Sequence, residues 1–305
     1  MNWNRLFTSP PPTTGWLFDP GSVAAVRRDS KGLLHCASTD LGDGVFEVGP
    51  VGLQSVNRQR LVEHLRSVQA RVDGARRAAV IVPTGWVRTH LLEFDQLPRR
   101  ERDQVEVVRW RLKKLLPVLP SELRVAVVAQ PAYQGRRHLL CMAGFDKAFT
   151  ELENAFEEVG IEPGLVTPRI FALASGNARS SGQRLVIQQE SEFVSLLLLV
   201  DGAPRLLRTK PLPPTGDQWQ LVMRELHMAV AYMREHLGVQ GLFKVSVSAA
   251  RPELNQALRG WWSGQAGAEI EPLPQDMVFA EPGVVERLGV ARLAPVCTVL
   301  AGGTG

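Results

Sequence analysis

The sequence predicts an α/β protein made of two similar halves, the first interrupted by an inserted αβ unit. Three observations carry this reading. A strand–turn–strand outline at Gly15–Arg27 returns at Arg184–Leu199, about 170 residues further on. After each outline come a third strand, an amphipathic helix and a short apolar strand, in the same order. Between residues 87 and 131 the pattern departs from this repeat, with a strand, a strongly charged helix closed by prolines, and another strand.

Residues 1–13 include Pro10-Pro11-Pro12 and read as a stiff polar tail. Strands follow at Trp16–Phe18, Val23–Arg28 and Leu33–Ser38; Gly42, Gly44, Gly49, Pro50 and Gly52 then mark loop. Leu61, Leu65, Val68 and Val72 recur at helical spacing. Ala78–Val82 is continuously apolar, the signature of a strand buried on both faces. Val87–Phe94 is a strand, and residues 99–116 form a helix with Val105, Val108, Leu112 and Leu115 on one face, ended by Pro117 and Pro120. Strands at Arg124–Gln130 and Leu139–Ala143 precede a helix on Phe149, Leu152, Phe156 and Val159, stopped by Gly160 and Pro163. Asn177–Gln183, rich in small and polar residues, is the linker. The second half has strands at Leu185–Gln189, Phe193–Val200 and Arg205–Thr209. A long helix through Val222, Leu226, Met233 and Leu237 follows, then a buried strand at Phe243–Ser248, a helix over 253–262 and short elements. The expected units are a first lobe at 14–176 with its insert at about 86–131, a second lobe at 184–300 and a tail at 301–305.

Composition fits a globular chain with a sizeable core: 305 residues, 45% hydrophobic and 22% charged. No apolar run reaches the ~18 residues that span a bilayer; Val194–Val200 is only strand length. The first residues lack the apolar region and small-residue cleavage site of a secretory signal. Cys36, Cys141 and Cys297 are odd in number and far apart, and read as buried free thiols. His35, His64, His90, His138, His227 and His236 show no metal-ligand pairing, so no metal site is expected. These features together indicate a cytoplasmic protein. A net charge of +4 is mildly basic. The cations concentrate at Arg99, Arg100, Arg102, Arg109, Arg111, Lys113 and Lys114, where Glu101, Asp103 and Glu106 partly balance them. This helix reads as a solvated face or as a docking face for a partner or an acidic membrane surface. No aromatic-interleaved platform accompanies it, which argues against nucleic acid.

The layout resembles the actin-like fold, a duplication of two ribonuclease-H-like lobes. Within that fold the chain is similar to the type IV pilus assembly protein PilM family and to the cytoplasmic part of the related GspL. Phe18-Asp19-Pro20-Gly21-Ser22 stands where the family has its first phosphate loop. Val87–Phe94, Leu97-Pro98 and the helix running to Lys113-Lys114-Leu115-Leu116-Pro117 resemble the family's insert. Leu140–Gly144, Gly160-Ile161-Glu162-Pro163 and Pro168-Arg169-Ile170-Phe171-Ala172-Leu173 resemble its return into the first lobe. Val200-Asp201-Gly202, Leu206-Leu207-Arg208 and the helix around Tyr232 resemble the start of its second lobe.

The resemblance implies ATP and magnesium between two matched turns, with Asp19, Gly21 and Ser22 as the nucleotide-binding residues. The second turn departs from the pattern. Where the family has Asp–apolar–Gly, this chain is read as having Gln188, Gln189 and Glu190. Glycine lets the backbone approach phosphate, and Glu190 adds a Cβ and a negative charge there. The adenosine-side glycine pair is replaced by Ser248-Ala249-Ala250-Arg251-Pro252. Asp19-Pro20-Gly21 is therefore either a turn kept for structure or a residual phosphate loop. Two functions follow. One is a non-catalytic scaffold without a cofactor, cytoplasmic and peripheral to the inner membrane. It would hold the cytoplasmic N-terminal tail of a PilN-like single-span membrane protein in a groove near 86–130, with other pilus or secretion components alongside. Its partner-binding candidates are Arg109, Arg111, Lys113 and Lys114. The other is a working ATPase or kinase-like enzyme. An adaptor outside pili is a third reading.

Overall fold

The computed structural model describes residues 12–176, 181–213, 218–239, 241, 243–265, 267–271 and 277–302. The first half opens as an antiparallel meander, β1 (Thr14–Asp19), β2 (Ser22–Arg28) and β3 (Leu34–Asp40), followed by a small hairpin of β4 (Phe46–Gly49) and β5 (Gly52–Val56). Helix α1 (Arg58–Val72) starts at Asn57, whose side chain accepts from the Arg60 N–H at 3.2 Å and so caps an open helix end. Strand β6 (Arg77–Val82) returns parallel to β1. The insert comprises β7 (Arg88–Phe94), α2 (Glu101–Leu115), β8 (Leu123–Tyr133) and β9 (Arg136–Phe145). The lobe resumes with α3 (Asp146–Glu158), β10 (Glu162–Pro168) and α4 (Arg169–Ser175).

The second half comprises β11 (Gln183–Gln189), β12 (Phe193–Val200), β13 (Ala203–Pro211), α5 (Gln218–His236), β14 (Phe243–Ala249), α6 (Pro252–Ser263) and β15 (Ala268–Ile270). The chain ends in α7 (Pro282–Leu288) and α8 (Val290–Ala301). The two large sheets have the same order and the same strand directions: β3-β2-β1-β6-β10 in the first lobe and β13-β12-β11-β14-β15 in the second. The duplication read from the two hairpins is thus present strand for strand.

Both sheets are buried on two faces, as their apolar runs require. Along β6, Ala78, Val80 and Val82 face the α1–α3 side, whereas Ala79 and Ile81 face the opposite core with α8. Along β12, Val194, Leu196 and Leu198 face the α5 and α6 core, and Leu197 and Leu199 face a core shared with α4 and the insert. That shared core holds Val128 and Leu140 of the insert, Ile170, Phe171, Leu173 and Ala174 of α4, and Ala294 of α8. The lobes are therefore joined by packed apolar surface as well as by chain.

Three boundaries differ from the sequence reading. The glycine-rich stretch after β3 is not all loop: Gly49 and Gly52 close the turn of the β4–β5 hairpin, and Gly52 has φ +114° with the Trp86 carbonyl 2.3 Å from where a Cβ would sit. The insert reaches Phe145 rather than residue 131, because β9 is the middle strand of its sheet, ordered β7-β9-β8. The segment at 184–300 is not wholly second lobe. Helix α8 packs Leu293, Val296, Val299 and Leu300 onto Leu17, Ala79 and Ile81 of the first sheet. Pro295 disguised this helix in the sequence. Proline has no N–H to give the carbonyl four residues back, that of Ala291; the Ser248 hydroxyl donates to it instead, at 2.8 Å. Of the expected linker Asn177–Gln183, residues 177–180 lie outside the described residues and Gln183 opens β11. In the expected tails, residues 1–11 and 303–305 lie outside them, and Gly302 caps α8 with φ +67°.

Candidate functional site

The two hairpin turns meet at the base of a cleft of about 1030 Å³ between the lobes, lined among others by Asp19, Gly21, Ser22, Glu192, Arg251, Arg287 and Arg292. Asp19 and Ser22 close the first turn around Pro20-Gly21. In the second, the Glu190 N–H donates to the Phe193 carbonyl at 2.7 Å, so Glu190 and Phe193 close a turn around Ser191-Glu192. This register corrects the sequence reading. Glu190, not Gln188, is the counterpart of Asp19, and Glu192 rather than Glu190 takes the place of Gly21. Gln188 is buried two pairs further down the strand, paired with Ser195.

Asp19 is engaged on both carboxylate oxygens. Arg169 Nη2 lies 2.5 Å from Oδ1 and also donates to the Phe18 carbonyl at 2.5 Å. Arg292 Nε donates to Oδ2 at 2.5 Å, and its Nη2 donates to the Ser22 hydroxyl at 2.6 Å. Arg169 is only 2% exposed, so its charge depends on this pairing. Two guanidiniums on one carboxylate repel a divalent cation, and the Ser22 oxygen is already an acceptor. The sequence reading assigned no role to Arg169 or Arg292. The available signal was Arg169 itself, a cation heading the apolar run Ile170–Ala174 and hence in need of a buried partner.

Glu190 is buried, and both its oxygens accept from the Thr84 N–H, at 3.1 and 3.2 Å. Thr84 belongs to the single 3-10 turn that follows β6, and its hydroxyl accepts from the Ile170 N–H at 3.3 Å. Burial raises the Glu190 carboxyl above its usual range; Arg169 and the Thr84 bonds pull it back, and Asp19 pushes it further up. In the Ser248–Pro252 segment after β14, Arg251 donates to the Gln218 side chain, and the Ala250 N–H donates to the Gln189 carbonyl at 2.9 Å. The backbone amide and the cation there are spent on the protein's own groups.

A second concavity, of about 280 Å³, lies between the first lobe and the insert. Val82, Phe149, Pro163, Val166 and Pro168 form one wall, and Val87, Ala126, Met142 and Gly144 the other. Arg124 bridges its rim, donating to Asp146 at 2.7 Å, Glu153 at 2.6 Å and Thr150 at 3.0 Å. Gly144 leaves room for Phe149, whose ring would stand 2.4 Å from a Cβ there.

The cationic helix is not part of this wall. Alternation along β8 turns Val125 and Val127 toward α2, while Ala126 lines the groove on the other face. Arg109 holds the connection after α2, donating to the Pro120 carbonyl at 2.8 Å, and pairs with Glu106. Arg111 lies over the Phe94 ring and Lys114 over the Trp110 ring; Lys113 is exposed beside them. The three cysteines are free and buried, with the Cys36 and Cys141 thiols pushed up to about 12 by burial. Among the described residues no group of His, Cys, Asp and Glu is arranged to hold a metal ion, and no helix is long and apolar enough to cross a membrane.

No family model matches the chain, and no curated protein matches it in sequence. Solved structures do match. A PilM–PilN type IV pilus biogenesis complex is 15% identical over 97% of this chain and 100% of that chain, with a TM-score of 0.70. The cytoplasmic domain of EpsL, an inner membrane component of the type II secretion system of Vibrio cholerae, is 10% identical over 94% of each chain, with a TM-score of 0.50. A protein with actin-like ATPase fold and unknown function from Bacteroides thetaiotaomicron is 10% identical over 96% of this chain and 98% of that chain, also at 0.50. Together with the matched sheets, these likenesses establish that the chain is an α/β protein of the actin-like ATPase fold, two lobes with an insert in the first.

Proposed function

We propose that this chain is a non-catalytic scaffold of a type IV pilus or related secretion complex, sited at the cytoplasmic side of the inner membrane. It holds the tail of a PilN-like single-span membrane protein, and other components of the same complex assemble around it. The observation that carries this reading is the groove between the first lobe and the insert. Its apolar walls and charged rim suit an extended peptide with apolar side chains, and the solved structure similar to this chain at a TM-score of 0.70 is a PilM–PilN complex. The test is calorimetry at low salt with a PilN-type tail peptide. Binding that Met142→Glu abolishes supports the reading, and absence of binding to the wild-type chain overturns it.

The cleft supports the absence of catalysis. Asp19, the carboxylate that would position magnesium, is paired with Arg169 and Arg292, and no glycine stands in the second turn. The competing reading, an ATPase, is favoured only by the survival of Asp19 and Gly21. Titration with ATP and magnesium separates the two. No heat of binding is expected, and tight binding lost in Asp19→Ala would establish the competing reading.

A further inference from the structure

The outer face of α2 carries large apolar side chains in water. Trp110 is 57% exposed on that face; Leu115, expected on the apolar stripe with Val108 and Leu112, ends the helix 51% exposed, and Leu119 in the connection that follows is 63% exposed. The inner face of the same helix is already satisfied: Val108 and Leu112 are fully buried against β8 and β9. Trp110 is therefore not a misplaced core residue, and Leu115 carries the apolar stripe out into solvent at the end of the helix. They alternate with exposed cations, Arg111, Lys113 and Lys114, none of which has an ion pair with an acid among the described residues. Acids on and just after the helix have partners of their own. Glu106 pairs with Arg109, and Glu122 accepts from the Leu119 N–H at 3.3 Å. The acids of the helix stand toward its start, where Glu101 and Asp103 sit among Arg99, Arg100 and Arg102, while its last turn carries Lys113 and Lys114.

We propose that the C-terminal half of α2 and the Leu116–Leu119 connection form a docking face for an anionic phospholipid surface. Charge complementarity selects this occupant. Cations on flexible stems reach lipid phosphates while an indole and two leucines enter the interface between headgroups and acyl chains. The cations also shield the apolar tips in solution, as Lys114 does with its ammonium 4.1 Å from the Trp110 ring centre. Apolar tips set apart by charges suit a fluid bilayer surface, which accepts insertions one by one; a folded partner needs one contiguous matching patch. The face lies on the opposite side of the insert sheet from the groove, so it stays open when the groove is filled. The proposal does not depend on the identity of the groove's occupant.

The test is co-sedimentation of the full chain with lipid vesicles lacking any protein or peptide. One set is phosphatidylcholine alone and the other contains phosphatidylglycerol. The expected result is binding to the anionic vesicles only, weakened about tenfold or more by raising salt from 0.05 to 0.5 M. Lys113→Glu/Lys114→Glu should abolish it. Trp110→Ser/Leu115→Ser should reduce it about tenfold while leaving the thermal midpoint unchanged, because those side chains are exposed. No binding of the wild-type chain to anionic vesicles at low salt overturns the proposal. So does binding that neither double variant alters, or a helix face that captures the purified groove peptide or a second copy of the chain instead of lipid.

Discussion

Asp19 looks like a catalytic remnant in the sequence and behaves like an anchor in the fold. Its carboxylate neutralises Arg169, which is almost wholly buried. Removing one partner of a buried pair leaves an uncompensated charge, at a cost of about 3 kcal/mol or more. Asp19→Ala is expected to lower the unfolding free energy by that order in urea titration; an unchanged midpoint would mean that Asp19 is spare for another task. Glu190 gives the opposite expectation. Its folded pKa is raised from 4.5 by burial, so the folded protein keeps the proton to higher pH than the unfolded chain does. Ionising it therefore removes stability as pH rises from about 4.5 through the raised value. Glu190→Gln keeps an acceptor for the Thr84 N–H and deletes the charge. The variant should melt above wild type at pH 8, with the gap closing toward pH 4. Equal melting at pH 8 would show that Arg169 fully compensates the buried charge.

At the scale of elements, the contact between lobes runs through the 3-10 turn Thr84–Trp86 and the second hairpin. Gly85 leaves space for the Phe193 ring, whose Cε2 would stand 2.2 Å from an added Cβ. Gly85→Ala must displace either the ring or the turn, and about 1–3 kcal/mol of destabilisation is expected. Phe193→Ala in the same chain should recover at least half of it, which a double-mutant cycle measures; additive losses would place the strain elsewhere. Elements themselves were legible where a period was regular. α1, α3, α5 and the buried strands β6, β12 and β14 stand where their apolar spacing placed them. β4–β5 and α8 were not, since glycines and an internal proline mimic loop unless the partner that satisfies the backbone is known. Here Ser248 satisfies the Ala291 carbonyl and the Trp86 carbonyl leaves room only for glycine at position 52, both far away in sequence.

Over the whole molecule, the C-terminal helix crosses back to the first sheet and Ala294 enters the core shared by both lobes. The lobes should therefore unfold together. Leu293→Ala, at a site with no exposure, is expected to cost about 2–4 kcal/mol. Far-ultraviolet dichroism and tryptophan fluorescence should report one coincident transition; two transitions would mean that the lobes are independent.

The duplication, the presence of an insert, most of the apolar helix faces and the survival of Asp19-Pro20-Gly21 could be read from the amino acids alone. These follow from side-chain periodicity and turn chemistry, which are local. What the surviving turn is bonded to emerges only from the packing of distant segments. That packing brought Arg169 and Arg292 onto Asp19 across 150 and 273 positions, and it put Glu190 rather than Gln188 opposite Asp19. It also placed the cationic helix on the far side of the insert from the groove. Charge pairing and register between distant strands depend on how separate segments pack, and no local pattern encodes which arginine will meet which carboxylate.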